Sequence, residues 1–276
     1  MNTAKLFIVP TPIGNLKDIT LRALETMAMA DVIVCEDTRH TMKLLNHYGI
    51  KKTLIASEKF SEAKKAGQIM RLLDQGSKVA LVSDAGTPLI SDPGAYIVSM
   101  ARSAGYPIEA LPGACAFVTA LSASGFTGSV RFIGFFPRLA KQAEQERMRM
   151  LVSSDITVFY ESPRRIRKTF ERISSGLEER PVCIAREITK LHEEYRCGPL
   201  ASIVEQLPLE PLKGEFTVVI QGLGAEPEPL HDSAQIIQRA KSLLQQGCSR
   251  RDILKLLSAE TDMKRNDLYR LLIDSV

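Results

Sequence analysis

Within its first half the chain passes from a strand-like run into a long loop, KVALV at 78–82 followed by SDAGTPLISDPG at 83–94. The run is short and apolar, which is typical of a strand buried on both faces. Turns need only about two to five residues, so a loop of this length predicts a binding role. Its glycines let the backbone approach a ligand, and its prolines fix the loop shape before binding.

Similar apolar runs and helical patterns alternate through the rest of the first half. The other predicted strands are Lys5–Val9, Asp31–Cys35, Thr53–Ala56 and Ile108–Leu111, and the predicted helices are Thr20–Ala30 and Glu58–Gln75. Alternation of this kind favours a mainly parallel sheet with helices on both faces. Ligands of such sheets bind beyond the carboxyl ends of the strands.

The second half repeats the pattern and ends in helices. A helix is predicted at Ala114–Ala123, and strands at Val130–Phe135, Thr157–Tyr160, Val182–Ala185 and Phe216–Gln221, some of them possible antiparallel members. The fold class is therefore α/β, with an N-terminal α/β domain at 1–112 and a C-terminal α/β domain at 113–224. A stiff linker at 225–230 opens a helix-turn-helix-like helical tail that runs to residue 276. Packing or dimerisation and nucleic-acid contact both stay open as roles for this tail.

Composition and charge describe an ordinary folded protein. Of the 276 residues 45% are hydrophobic and 25% charged, and the net charge of +4 includes no polybasic tail. We expect a cytoplasmic protein, because the sequence contains neither a signal peptide nor an apolar run of the roughly 18 residues that a membrane helix needs. The five cysteines are odd in number and lack a CxxC pair, so we expect buried thiols, no disulfide and no metal site.

Two more loops rich in proline and glycine follow predicted strands, Pro10–Leu16 after Val9 and Pro112–Cys115 after Leu111. We expect these loops and the loop 83–94 to converge at one edge of the sheet. Charged motifs also follow strands, CEDTR at 35–39, FYESPRR at 159–165 and REITKLHEE at 186–194. The sequence has no GxGxxG, GxxxxGK[ST], GxSxG or HExxH motif, so the familiar dinucleotide, phosphate-loop, hydrolase and zinc-protease interpretations lose most of their support.

These loops and motifs together resemble one family. The stretches that carry the resemblance are PTPIGNLKDIT (10–20), CEDTRHTMKLL (35–45), SDAGTPLISDPG (83–94), ALPGACA (110–116), FYESPRR (159–165), REITKLHEE (186–194) and KGEF (213–216). They are similar to the tetrapyrrole-methylase superfamily, in its branch of ribosomal RNA 2′-O-ribose methyltransferases. The resemblance spans about residues 5–225, and the helical tail fits the family's C-terminal extension.

The resemblance implies a class III methyltransferase that uses S-adenosyl-L-methionine as methyl donor. It implies two αβα domains with the donor in the cleft between them, a homodimer, and no metal. The implied substrate is the ribose of a decoding-centre cytidine in 16S rRNA of the small ribosomal subunit. Two alternatives stay open, a related methyltransferase that acts on a porphyrinoid or a protein side chain, and a non-catalytic RNA-binding factor in ribosome assembly.

The resemblance also implies roles for individual residues. The implied donor contacts are Pro12, Ile13, Gly14, Asp84, Thr87, Pro88, Gly113, Ala114, Cys115, Tyr160, Ala185 and Phe216. The superfamily's Gly-Asp-Pro element falls on residues 83–85, so only its aspartate is kept, and the first loop lacks the glycines of the porphyrinoid enzymes.

Charged residues at the strand ends are the candidates for RNA binding and proton transfer. Arg39, Arg164 and Arg165 are expected to bind RNA phosphates. The candidates for the general base are Glu36, Asp37, Glu161, Glu187 and Lys190, with Glu36 or Lys190 expected nearest the ribose, and proton loss to water is the alternative.

Overall fold

The computed structural model describes residues 4–57, 62–207, 213–223, 233–245, 248–261, 263 and 265–273. The chain divides into two compact units, the first made of residues 1–120 and 186–194 and the second of residues 121–185 and 195–276. The domain boundaries expected after residues 112 and 224 remain predictions. The linker predicted at 225–230 lies outside the described residues.

The first unit is built on a five-stranded sheet in the order β3-β2-β4-β1-β5, in which all the paired strands are parallel. The strands are β1 Lys5–Val9, β2 Val32–Cys35, β3 Thr53–Ala56, β4 Lys78–Val82 and β5 Ile108–Ala110. The helices are α1 Leu21–Met29, α2 Thr38–His47, α3 Glu62–Asp74 and α4 Ala95–Ser103, and a 3₁₀ turn spans Leu16–Asp18. Helix α5 Ala116–Ser124 begins in this unit and ends in the second. The parallel sheet that the alternating pattern predicted is confirmed.

Both faces of this sheet are covered by apolar side chains. Leu6 of β1 belongs to the buried cluster that holds Ile69 of α3. The next residue, Phe7, belongs to a second cluster that holds Met27 of α1. Because successive strand residues point to opposite faces, one continuous apolar run supplies both layers.

The second unit contains a mixed five-stranded sheet in the order β6-β7-β10-β8-β9. Its strands are β6 Val130–Phe135, β7 Ile156–Glu161, β8 Pro181–Arg186, β9 Glu194–Pro199 and β10 Phe216–Ile220. Its helices are α6 Ala140–Val152, α7 Ile166–Ile173, α8 Leu200–Gln206, α9 Ser233–Gln245, α10 Arg250–Glu260 and α11 Arg265–Ile273. Strands β6 and β7 are parallel and β7 and β10 antiparallel, so the expected antiparallel members are present.

The three C-terminal helices pack onto the core of the second unit. Ile236 of α9, Leu257 of α10 and Leu268 of α11 are buried in the same apolar cluster as Phe170 of α7. Ser249 caps α10, as its position predicts, because its Oγ accepts the backbone N–H of residue 252. The tail therefore has the packing role, and its contact with nucleic acid remains a prediction.

One strand and one covalent bond differ from the sequence-based expectation. Strand β9 is not predicted, because its residues alternate between half-buried and exposed without an apolar run. Cys197 on this strand forms a disulfide with Cys183 on β8, and their Cα atoms are 4.1 Å apart. The expectation of no disulfide is therefore wrong. Cys35 and Cys248 are buried free thiols, as expected.

Candidate active site

In the first unit the loops that follow β1 and β4 are joined by backbone hydrogen bonds. The N–H of Thr11 donates to the carbonyl of Gly86 at 2.9 Å, and the N–H of Gly86 donates to the carbonyl of Thr11 at 3.0 Å. The buried hydroxyl of Thr11 also donates to the carbonyl of Ser83 at 3.0 Å. Gly86 has a φ of 81°, a left-handed conformation that favours glycine.

The loop that follows β5 joins the same group. The hydroxyl of Thr87 donates to the carbonyl of Ala114 at 3.0 Å. A β-carbon at Gly113 would lie 2.5 Å from Cβ of Pro10, so only glycine permits this approach. The predicted convergence of the three loops is therefore observed at the carboxyl ends of β1, β4 and β5.

A cavity of about 500 Å³ lies within the first unit beside these loops. Its volume is in the range of about 300–1,000 Å³ that small-molecule sites occupy. It is lined by Ile13, Asp18, Thr20, Gly113, Ala114, Cys115, Val118, Thr119, Ile188, Thr189 and Glu193. Four of the predicted donor contacts, Ile13 and the run 113–115, are thus among the lining residues.

One wall of this cavity comes from the segment 186–194, whose backbone is strained. The hydroxyl of Thr189 donates to the carboxylate of Asp18, and its N–H donates to Oε2 of Glu193 at 2.9 Å. Glu187 and Thr189 have φ angles of 50° and 66°. A β-branched residue rarely adopts such a conformation, and strain of this kind concentrates at functional sites.

Lys190, a predicted catalytic residue, lies against the loop Pro10–Leu16, which follows β1 and is called the first loop. A β-carbon at Gly14 would be 2.5 Å from Cγ of Lys190, so the lysine stem crosses the glycine directly. The ammonium group is 3.0 Å from Oε1 of Glu187. Two of the five general-base candidates, Glu187 and Lys190, therefore form an ion pair beside a predicted donor contact.

Glu36, the other predicted catalytic residue, lies in an acidic group with Asp84 and Asp92. Oδ1 of Asp84 accepts the N–H of Asp37 at 3.0 Å, which joins the end of β4 to the end of β2. Burial raises the pKa of Asp92 to about 6, and the nearby carboxylates of Glu36 and Asp84 add to the shift. Asp92 is thus a titratable group that the sequence analysis left without a role.

Arg39, a predicted phosphate contact, has a side chain that is 87% exposed. Its Nε and Nη2 atoms donate to the two carboxylate oxygens of Asp37 at 3.1 and 2.8 Å. Hydrogen bonds from Arg39 lower the pKa of Asp37 to about 2. Because an exposed ion pair is weak, the guanidinium of Arg39 can exchange Asp37 for a phosphate.

The remaining predicted donor contacts belong to the second unit. Tyr160 near the end of β7 pairs in register with residue 217, and Phe216 at the start of β10 pairs with Glu161. Tyr160 is half-buried, whereas Ala185 and Phe216 are buried. These three positions lie on three adjacent strands, β7, β10 and β8.

The two predicted phosphate contacts of the second unit differ in their surroundings. Arg164 is exposed. Arg165 is half-buried, with Nη2 3.3 Å from Oε2 of Glu161, and it donates to the carbonyl of Phe136 at 3.0 Å. Glu161 is fully buried and accepts hydrogen bonds from the hydroxyl of Thr169 at 2.6 Å and from the N–H of residue 162 at 2.7 Å. Glu161 therefore anchors Arg165.

Several cavity residues were missed by the sequence analysis. Asp18 lies inside the motif 10–20, and Ile188, Thr189 and Glu193 lie inside the motif 186–194, so their neighbourhood was predicted but their roles were not. The left-handed backbone at Thr189 has no sequence signal, because threonine disfavours it. The described residues contain no cluster of three or more His, Cys, Asp or Glu side chains that could hold a metal ion. A search of the same residues finds no helix able to cross a membrane.

Residues 5–204 match the family model for Tetrapyrrole (Corrin/Porphyrin) Methylases. The match covers well over half of the chain, and the chain therefore belongs to the tetrapyrrole methylase family. Among curated proteins it is 41% identical over 273 residues to the Ribosomal RNA small subunit methyltransferase I of Haemophilus influenzae, which covers 97% of this chain and 96% of the relative. It is 44% identical over 224 residues to the protein of the same name from Thermotoga maritima, with 79% and 98% covered.

Solved structures of low identity share the fold. The methyltransferase CobJ superposes with a TM-score of 0.61 at 17% identity and covers 80% of this chain and 95% of its own. Diphthine synthase gives a TM-score of 0.57 at 16% identity, with 97% and 99% covered. At these identities the likeness concerns the fold alone.

Proposed function

We propose that this protein is an S-adenosyl-L-methionine-dependent methyltransferase that modifies the 16S rRNA of the small ribosomal subunit, on the ribose 2′-hydroxyl of a decoding-centre cytidine. The observation that carries the proposal is the cavity of about 500 Å³ beside three converging loops, in a chain of the tetrapyrrole methylase family. The names of the relatives supply the RNA class of substrate. The cytoplasm and a homodimer are the expected location and assembly.

The residues of the cavity fit the methyl donor. Apolar side chains such as Ile13 and Val118 suit an adenosyl group, and the carboxylates of Asp18 and Glu193 suit a ligand that carries positive charge. Ile13, Gly113, Ala114 and Cys115 would hold the donor from the first unit. Bound S-adenosyl-L-methionine supplies a methyl group on a sulfonium, which is an electrophile that needs no metal.

The protein has two tasks in this reaction, alignment and proton removal. The ribose 2′-oxygen attacks the methyl carbon in line with the breaking C–S bond, a neutral thioether leaves, and the hydroxyl proton passes to a base or to water. Alignment of bound reactants can contribute about 7–11 kcal/mol to the lowering of the barrier. A general base adds about 10²–10⁴-fold in rate.

Two residues are proposed for proton removal and three for RNA binding. Glu36 stands with the carboxylates at the ends of β2 and β4 and can accept the proton directly. Lys190 stands over the loop Pro10–Leu16 with its ammonium paired to Glu187, so it accepts the ribose proton only after giving its own to Glu187. Arg39 and Arg164 are exposed cations suited to phosphates. Arg165 takes part through the loops that it holds as well as through its own charge.

A methyl-transfer assay tests the proposal. Purified small subunits, naked 16S rRNA and uroporphyrinogen III are each incubated with the protein and methyl-labelled S-adenosyl-L-methionine, and the modified residue is mapped by mass spectrometry. We expect label on one cytidine ribose of the rRNA. Label on the porphyrinoid or on a ribosomal protein would contradict the proposed substrate. RNA binding without transfer and without S-adenosylhomocysteine binding would indicate an assembly factor.

A further inference from the structure

Strand β6 contains a bulge beside Tyr160. Phe132 pairs with residue 158 of β7 and Phe135 pairs with Tyr160, so three steps along β6 match two steps along β7. Gly134 lies within the irregularity and has a φ of 68°. One extra residue on one strand defines a bulge, a glycine in left-handed conformation is one form of it, and bulges often redirect side chains next to binding sites.

This bulge places two phenylalanines against one tyrosine. In a regular strand residues 132 and 135 would point to opposite faces of the sheet. Here the rings of both Phe132 and Phe135 make T-shaped contacts with Tyr160, with centroids 5.0 and 5.7 Å away. Phe135 nevertheless remains 59% exposed. The bulge therefore produces an aromatic group whose outer ring is open to solvent.

Two exposed arginines accompany this ring on loops that are tied together. Arg138 follows β6 and Arg164 follows β7, and both are exposed. Nη2 of Arg165 donates to the carbonyls of Phe136 and Pro137 at 3.0 and 3.3 Å, and these bonds fasten the loop after β6 to the loop after β7. Within the described part of the chain neither Arg138 nor Arg164 has a hydrogen-bond or ion-pair partner, so both charges are available to a ligand.

An exposed aromatic ring accompanied by exposed guanidinium groups is the chemistry that recognises unpaired nucleotides. Bases stack on aromatic side chains, and arginines bind the flanking phosphates. A purely apolar protein partner fits this surface poorly, because it would desolvate two unpaired cations.

We propose that Phe135, Arg138 and Arg164 form a surface that binds an unpaired stretch of RNA, with one base stacked on Phe135. The inference rests on the proposed function, and it adds Phe135 and Arg138 to the residues that select the substrate. It also assigns a function to the bulge at Gly134, because the bulge places the ring of Phe135 beside Tyr160.

Fluorescence anisotropy with a short fluorescein-labelled oligocytidylate, and with the same backbone lacking bases, tests this surface. Phe135→Ala should weaken binding of the oligocytidylate by about fivefold to a hundredfold and leave the abasic strand unaffected. Phe135→Trp should retain binding. The double variant Arg138→Ala/Arg164→Ala should weaken both ligands and lower the salt slope by about 0.7 for each lost phosphate contact. The control is Leu139→Ala, which removes a neighbouring 65% exposed apolar side chain and should change neither.

Equal oligocytidylate affinity of the wild-type protein and Phe135→Ala would overturn the inference. So would a change in sedimentation of Phe135→Ala from the wild-type species, which would indicate that a second copy of the chain covers the ring. Weaker S-adenosylhomocysteine binding in Phe135→Ala would assign the ring to the donor instead. The proposed function fails separately, through an absence of methyl transfer by the wild-type protein to small subunits.

Discussion

The stem of Lys190 crosses Gly14 so closely that a β-carbon at position 14 would lie 2.5 Å from Cγ of the lysine. Gly14→Ala must therefore displace Lys190 from its place beside the first loop. We expect kcat/KM for methyl transfer to fall at least about tenfold, because misplacing a catalytic group by about 1 Å can cost a hundredfold. Steady-state kinetics on small subunits measure the effect.

A matched glycine gives the control for this prediction. Gly67 on α3 has nothing within 4 Å of a β-carbon, so Gly67→Ala should leave kcat/KM unchanged and stabilise the helix by up to about 1 kcal/mol. In a Lys190→Ala background, Gly14→Ala should cost little further stability, since the clashing stem is gone. An undiminished rate in Gly14→Ala would refute a positioning role for this contact.

The carboxylate of Asp84 is expected to support the donor site. Its Oδ1 accepts the N–H of Asp37 at 3.0 Å, so Asp84→Ala leaves that amide without its partner. We expect S-adenosylhomocysteine to bind at least about tenfold more weakly in calorimetry, a loss of about 1.4 kcal/mol. Asp84→Asn keeps an acceptor oxygen and should lose less. Unchanged affinity in Asp84→Ala, with an intact fold by circular dichroism, would remove Asp84 from the donor site.

Arg39 is expected to exchange its partner Asp37 for an RNA phosphate. Because the pair is exposed, Arg39→Ala should leave the free energy of unfolding nearly unchanged. It should lower the slope of log Kobs for RNA against log salt by about 0.7–0.9. Arg102→Ala, which removes an exposed arginine of α4, is the control and should leave the slope unchanged. Equal slopes for both variants would count against the phosphate contact.

Asp92 should make stability depend on pH. Because its pKa is raised from 3.8 to about 6 in the folded protein, the fold binds this proton more tightly than the unfolded chain does. Its stabilising contribution is complete below about pH 4 and is lost as the pH rises through 6. Asp92→Asn should therefore gain in Tm relative to the wild-type protein between about pH 4 and pH 8. If the plots of Tm against pH for the two proteins run parallel across this range, the pKa of Asp92 is the same in the folded and unfolded states and the prediction is wrong.

The ion pair of Glu161 and Arg165 should contribute to the free energy of unfolding, since the carboxylate is fully buried and the two side chains are 3.3 Å apart. Glu161→Gln breaks a buried ion pair and should lower the free energy of unfolding by about 3 kcal/mol. The pair of half-buried Arg167 and exposed Glu171, 3.7 Å apart, has the same spacing in sequence. Glu171→Gln should cost less than about 1 kcal/mol in denaturant unfolding. Equal losses in the two variants would contradict the anchoring role of Glu161.

The sheets were largely predictable because most of their strands are short runs rich in apolar residues. Lys5–Val9, Thr53–Ala56, Lys78–Val82 and Val130–Phe135 are found with the bounds that the sequence predicts. Strand β9 lacks such a run, and the disulfide of Cys197 was missed with it. A cross-strand disulfide follows from strand pairing, which cysteine spacing alone does not reveal.

The loops of the candidate site were also predictable, because all three are dense in proline and glycine and directly follow predicted strands. The roles of individual residues within these loops could not be predicted from the sequence. The raised pKa of Asp92 depends on burial beside Glu36, a residue far away in sequence. The role of Gly14 depends on a lysine stem that arrives from residue 190. Long-range packing of this kind leaves no local pattern.

The segment 186–194 belongs to the first unit although it connects two strands, β8 and β9, that lie in the sheet of the second. A growing polypeptide therefore exposes the whole first sheet to the cell before it has made Ile188, Thr189 and Glu193, which close the cavity. N-terminal regions of a chain fold first during translation. The nascent first unit should thus remain unable to retain S-adenosyl-L-methionine until the ribosome has released residues 121–185 of the second unit and the segment 186–194, so that cofactor capture follows synthesis of the middle of the chain.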